Sequence, residues 1–156
     1  MTTPSSRLYV SSLAGIYGSW SPLAEWLLRG GVGIILLVHG AQKFLGSFGG
    51  AGMDGFIGAL AKFGYPSPTA LGYFVATVET LIGLMFVIGF LVRPAALALA
   101  IFMLFAVHYT WTTGAHPFVW FRGGSELSIV YLLIGVFFLI HGAGPWSIDR
   151  KQPKEF

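Results

Sequence analysis

Glu79 is the sole formal charge in a long apolar run from Thr69 to Val92. Histidines occur late in three comparable runs, as His39, His108 and His141. Lys43 follows His39 by one helical turn and so shares its face. A carboxylate and imidazoles can exchange protons near neutral pH and hydrogen-bond a small polar headgroup. Two histidines and a carboxylate can also hold a divalent metal. No HxxxH or ExxH pair pre-forms such a site here, so no metal is expected. The chain has no cysteine, which excludes a structural disulfide, a thiolate nucleophile, a Cys-ligated zinc or iron–sulfur centre and a CxxC relay. Redox chemistry therefore has to come from a cofactor, a quinone or a partner.

A quinone headgroup needs a hydrogen-bond donor, a proton-exchanging group and an apolar slot for its tail. His39 and His108 supply the first and Glu79 the second, with Lys43 tuning its charge. Phe74, Phe102, Phe105, Tyr109 and Tyr131 are candidates for the slot. Leu104-x3-His108-x3-Thr112 loosely resembles a quinone-site pattern. The alternative for Glu79 is a satisfied polar network that only fixes helix packing. Glu126, beside Arg122, extends the cluster, while Arg29, His141 and Arg93 form a second, smaller group at the other end. Arg29 alternatively snorkels to the interface. His116, next to Pro117, reads as a loop residue.

The elements that carry these residues follow from composition. Of 156 residues, 55% are apolar and only 10% charged, against about 25% charged in a soluble domain. So few charges cannot coat a water-facing surface of this size, and disorder needs the opposite balance. An integral membrane protein remains. The net charge of +3 is scattered and mostly flanks apolar runs, so no nucleic-acid partner is expected. Four runs have spanning length, at about 23–44, 69–92, 94–111 and 126–143. They are continuously apolar without period-2 alternation, which selects helices over a barrel.

The expected fold is therefore all-α: one domain over 1–156, an up-down bundle of four transmembrane helices with a polar tail at 150–156. No internal repeat and no secretory signal peptide is visible. Within the glycine-rich loop from Gly46 to Pro68, Met53, Phe56, Ile57, Leu60 and Phe63 fall near helical spacing. That predicts a short amphipathic helix on the outer face, either packed as a loop or serving as a lid. Leu8 to Tyr17 is a second candidate surface helix. Four crossings put both termini on one side, with Arg7, Arg29, Arg93, Arg150, Lys151 and Lys154. Lys43, Lys62 and Arg122 lie on the other. That balance favours cytoplasmic termini. Trp20, Trp26, Trp111, Trp120 and Trp146 sit near span ends, as interfacial anchors do.

Helix rise then sets the levels. Glu79 lies about 21 Å above Arg93, His108 about 22 Å above it, and His39 about 21 Å above Glu25. Three spans thus carry Glu79, His39 and His108 to one layer in the outer half of the bilayer. Glycines and alanines, among them Gly33, Gly83, Ala96, Ala100 and Gly135, allow close helix approach. They serve packing within one bundle or a homo-oligomer.

From about Glu25 to Asp149 the chain resembles the DoxX family of small four-helix membrane proteins. The likeness rests on Arg29 followed by His39-Gly40-x-Gln42-Lys43, and on the Phe48-Gly49-Gly50 loop and the Gly64-x-Pro66-x-Pro68 turn. It continues with Glu79 and Gly83, Gly89 and Arg93, and Glu126. It closes with Gly142-Ala143-Gly144-Pro145-Trp146-Ser147-Ile148-Asp149, close to the family's Gly-x-Gly-x-x-Ser-x-Asp, with Ala143 where proline is common. The resemblance implies a bacterial-type inner membrane protein tied to respiratory-chain or stress redox chemistry. That would make it a membrane subunit of a quinone-linked oxidoreductase, with protein partners in a redox complex. On that reading Glu79, His39 and His108 do the chemistry, and Lys43, Arg29, Glu126 and Tyr109 help to hold the quinone. The rival is a non-catalytic scaffold for such a complex. A small-molecule or proton pathway is third, without the broken helices or inverted repeat that would support it.

Overall fold

The computed structural model describes residues 8–113, 118–119 and 123–153. Arg7, Arg122 and Lys154 of the loop-charge comparison, with His116, Pro117, Trp120 and the end of the polar tail, lie outside the described residues. Among the described residues every regular element is helical. They are α1 (Ala14–Phe44), α2 (Gly52–Lys62), α3 (Pro68–Ile88), α4 (Val92–Thr113) and α5 (Glu126–His141), with 3-10 turns at Ser11–Leu13 and Asp149–Lys151.

α1, α3 and α4 are long and apolar enough to cross a membrane. α5 is equally apolar but has 16 residues, a length of about 24 Å. Large apolar side chains such as Ile34, Leu81, Leu84, Leu97, Leu104, Leu133 and Ile140 cover the outside of the bundle. In water this would be an apolar patch far beyond what a soluble monomer exposes; in lipid it is the solvent-compatible surface. The chain is an integral membrane protein.

Several boundaries differ from those expected. α1 starts at Ala14 and runs unbroken through Pro22, so Ala14–Tyr17 belong to this helix and not to a separate surface helix. α3 stops at Ile88, four residues early, and α4 begins at Val92 with Pro94 inside it. Proline is accommodated there because the first turn has no intrahelical partner for its missing N–H. The break itself is set by Gly89, at φ +70. A Cβ at that position would come within 2.6 Å of Ser147 Cβ and 2.9 Å of the Arg29 guanidinium carbon.

α1 packs chiefly on α3, and α4 on α5, with a narrower seam between α3 and α4. Val32, Leu36, Ile82, Phe86, Leu99, Met103 and Phe138 form one continuous core. Phe86 and Phe138 meet edge to face with ring centroids 5.6 Å apart. The α1–α3 seam is closed by two glycines. A Cβ on Gly33 would lie 2.7 Å from the Gly83 carbonyl oxygen, and one on Gly83 would lie 2.8 Å from that of Gly33. Both obstacles are backbone, so the helices would have to separate. Gly33→Ala is expected to destabilise the bundle by about 1–3 kcal/mol. Gly31→Ala, which meets nothing within 4 Å, is expected to be neutral or mildly stabilising. Thermal unfolding of the two variants in detergent checks the contrast; equal melting temperatures would contradict it.

Candidate functional site

Two polar clusters occupy opposite ends of this bundle. The first forms where α1 finishes. Glu79 lies on the α3 face that also carries Ala76, Ile82 and Gly83, all buried towards the core. Lys43 sits in the last turn of α1, where a cation complements the helix dipole. Its Nζ donates to Glu79 Oε2 at 2.5 Å, and the two side chains are 17% and 9% exposed. α2 packs on the first turns of α3, with Met53, Ile57 and Leu60 around Gly72. This places the Phe56 ring 5.1 Å from the Lys43 ammonium, a cation–π contact that strengthens as water is excluded. One turn back on α1, His39 Nδ1 donates to Gln42 Oε1 at 3.0 Å. Gln42 Nε2 in turn donates to the Phe48 carbonyl at 3.2 Å. The ion pair is thus braced by a short chain of hydrogen bonds tying α1 to the loop before α2.

The structure does not bring every expected residue to this cluster. His108 is exposed and lines an open apolar groove with Ile101, Leu104 and Phe105. It stands nine residues from buried Leu99, about two and a half turns, and so points the opposite way round α4. Helix rise says nothing about this azimuth, and the expected common level fails as well: α3 ends at Ile88, so Glu79 lies nine residues, about 14 Å, from the α3–α4 turn, whereas His108 lies sixteen residues, about 24 Å, from it. Tyr109 packs its ring on Phe63 and Tyr65, at 5.7 and 5.5 Å. Burial first, then Tyr109, push the Tyr65 phenol above its ordinary pKa. Glu126 opens α5, in the turn where an acid suits the dipole. Beside it, buried Ser125 accepts a hydrogen bond from Trp111 Nε1 at 2.8 Å. Of the aromatic residues considered for a slot, Phe102 and Tyr131 pack on the core, whereas Phe74 and Phe105 face outward.

The second cluster lies around the α3–α4 turn and the segment that follows α5. Arg29 is 1% exposed, so it does not snorkel. Its Nε donates to the Phe86 carbonyl at 2.9 Å, its Nη1 to Ala143 and its Nη2 to Trp146 at 2.5 Å. The segment 142–151 thereby folds back as a strap across the α3–α4 turn. Asp149 locks the strap from the other side. Its carboxylate accepts from Leu91 N at 2.7 Å and Val92 N at 2.8 Å, and its own N–H donates to the Gly89 carbonyl at 3.0 Å. These bonds satisfy donors that the first turn of α4 leaves open. At its edge Glu25 pairs with His141 at 3.2 Å, and His141 stacks on Phe137. Arg93 donates to the Leu139 carbonyl at 3.2 Å. Arg29, His141 and Arg93 therefore share one end, as their spacing suggests. Glu25, Ser147 and Asp149 were not among the expected site residues. The signal for Asp149 lay in the closing Ser147-x-Asp149 pattern.

The DoxX family model matches residues 24–114, more than half of the chain. The chain belongs to the DoxX family. The matched region contains Arg29, His39, Lys43, Glu79 and His108, and ends before Glu126 and the strap. This DoxX protein is 29% identical to an uncharacterized membrane protein of Mycobacterium tuberculosis, over 79% of this chain and 77% of the relative. It is 31% identical to an uncharacterized protein of Haemophilus influenzae, over 80% and 87%. No solved structure gives a significant match.

Proposed function

We propose that this DoxX protein is the membrane subunit of a quinone-linked oxidoreductase system, with the Lys43–Glu79 pair as its headgroup site. The observation that carries the reading is the Lys43–Glu79 ion pair, 17% and 9% exposed, at the end of a spanning helix and beneath an aromatic ring. Ionisable groups at membrane depth are costly and are retained mainly for function or pairing. The donor set fits a quinone: an ammonium to hydrogen-bond a carbonyl, a carboxylate to take or return a proton, and Phe56 to exclude water. A bound quinone supplies two-electron, two-proton redox chemistry. Lys43 orients the headgroup, and Glu79, hydrogen-bonded to Lys43, takes or returns a proton at Oε2. His39, bonded to Gln42, keeps the end of α1 in register. The neighbouring Phe44 and Tyr73 rings, 6.4 Å apart, flank the α1–α3 seam where an apolar tail could lie. Electrons come from a protein partner or a soluble donor.

In this reading α1, α3, α4 and α5 all cross the bilayer, α5 with slight local thinning. α2 rests on the far face, and both termini are cytoplasmic in a bacterial-type inner membrane. Because the chain has no native cysteine, topology is directly testable. Asp54→Cys is expected to react with an impermeant thiol reagent on intact cells, and Ser12→Cys only after lysis. The reverse pattern would invert the orientation.

The functional test is quinone content and binding in mild detergent. Co-purified ubiquinone or menaquinone is expected, with binding weakened about tenfold or more by Glu79→Gln. Quinone-free protein that binds neither would sink the reading. The second reading, a non-catalytic anchor for a redox complex, is favoured by the strap riveted through Arg29 and Asp149. It predicts that Glu79→Gln lowers assembly while activity per assembled complex stays normal.

A further inference from the structure

The strap carries a groove of its own, open to the outside and about 360 Å³ in volume. Ile88 at the end of α3, Pro145, Trp146, Ser147, Ile148 and Lys151 line it. Its chemistry is divided. Ile88, Trp146 and Ile148 are 39%, 55% and 41% exposed, an apolar floor at the level where α3 ends. Lys151 supplies a cation at the rim, with Arg150 exposed beside it. The one acid of the strap among the described residues, Asp149, is turned inward and spent on the Leu91 and Val92 amides. Its carboxylate is therefore turned away from the groove, whose rim carries Lys151 and Arg150, while Glu25 lies against Gly144 at the far edge of the strap and is paired with His141.

A tryptophan and a lysine beside apolar side chains at a helix end match the boundary between acyl chains and headgroups. The groove is also prearranged. Trp146 is fixed through its carbonyl by Arg29. Ser147 is fixed by a hydrogen bond from its hydroxyl to the Gly144 carbonyl at 2.7 Å, and Lys151 N donates to the Ile148 carbonyl at 2.9 Å. We propose that this groove binds one anionic phospholipid. The phosphate lies against Lys151, with Arg150 adding to the local potential, and the first part of an acyl chain lies over Ile88, Trp146 and Ile148. Basic pockets at the membrane edge select anionic headgroups by charge and hold them by apolar contact. Bound in this way, the lipid fastens the strap to the bilayer on the side of the termini.

The test uses the full chain in mixed micelles holding equal parts phosphatidylglycerol and phosphatidylcholine, read by native mass spectrometry. Preferential retention of one phosphatidylglycerol is expected. Lys151→Gln is expected to reduce that preference about fivefold, the effect of one surface charge. Lys62→Gln, which removes the same charge from the exposed end of α2 at the other end of the bundle, is expected to leave it unchanged. Trp146→Ala is expected to shorten retention of both lipids. Equal retention of the two lipids, or equal effects of the Lys62 and Lys151 variants, would overturn the proposal. Displacement of the lipid by millimolar inorganic phosphate would also overturn it, in favour of a site for a free anion. Failure of quinone to bind leaves this outcome untouched, because the groove is at the opposite end from Lys43 and Glu79.

Discussion

Arg29→Met is expected to destabilise the protein by about 3–5 kcal/mol, the range for breaking a buried charged network. The guanidinium is 1% exposed and donates to carbonyls of α3 and of two strap residues. Methionine fills much of the volume but leaves those three acceptors without donors. Each unmet acceptor costs about 1–3 kcal/mol when water cannot reach it. It also removes the positive charge that faces Asp149. In detergent, the melting temperature should fall by about 10 °C, and the strap should become the first site of proteolysis. Arg29→Lys should fall between wild type and methionine. It keeps the charge, but an ammonium cannot span acceptors on α3 and the strap with a planar fork. Unchanged stability in Arg29→Met would mean that the strap is not held through this residue.

The Lys43–Glu79 pair makes the second large prediction, and here the shape of a double-mutant cycle matters more than any single value. Removing one partner leaves the other charged in a poorly hydrated seam. Lys43→Met and Glu79→Leu are each expected to cost about 3 kcal/mol. The double variant, with both charges gone, is expected to cost about as much as either single one and not their sum, since the second substitution removes the charge that the first left unpaired. The coupling should be about 3 kcal/mol, the upper end of the range for contacting residues, so that the double variant is no less stable than either single one. Strict additivity would show that the two side chains do not interact in the membrane-embedded protein. The same variants separate the functional readings. A headgroup site predicts that the folded fraction of the double variant no longer binds quinone. A purely structural pair predicts that the double variant regains both assembly and activity.

The one-turn offset between His39 and Lys43 is legible in the sequence because helix rise is a local property, set by backbone hydrogen bonds and independent of neighbours. The level of Glu79 counted from Arg93 is not, because α3 ends at Ile88 and Arg93 belongs to α4. Azimuth is not legible either. A soluble helix reveals its inner face by contrast with polar residues on the outer one. In this chain both faces of α4 are apolar, because lipid and core favour similar side chains. His108 therefore had no direction in the sequence, and packing turned it outward beside Leu104 and Phe105. Tertiary structure also chose Lys43, rather than an imidazole, as the partner of Glu79, by drawing α1 onto α3 through Gly33 and Gly83.

Composition alone determined the membrane class and excluded thiol chemistry. Family motifs and charge-poor runs located the helices to within a few residues at most boundaries. The ends of the helices were less legible, because their breaks depend on distant groups. α3 stops where Gly89 admits Ser147 and Arg29, and α4 starts where Asp149 meets the Leu91 and Val92 amides. Those contacts join residues more than fifty positions apart. They exist only after the chain has folded back on itself, which is why the sequence shows the residues of the strap but only the fold shows what they hold.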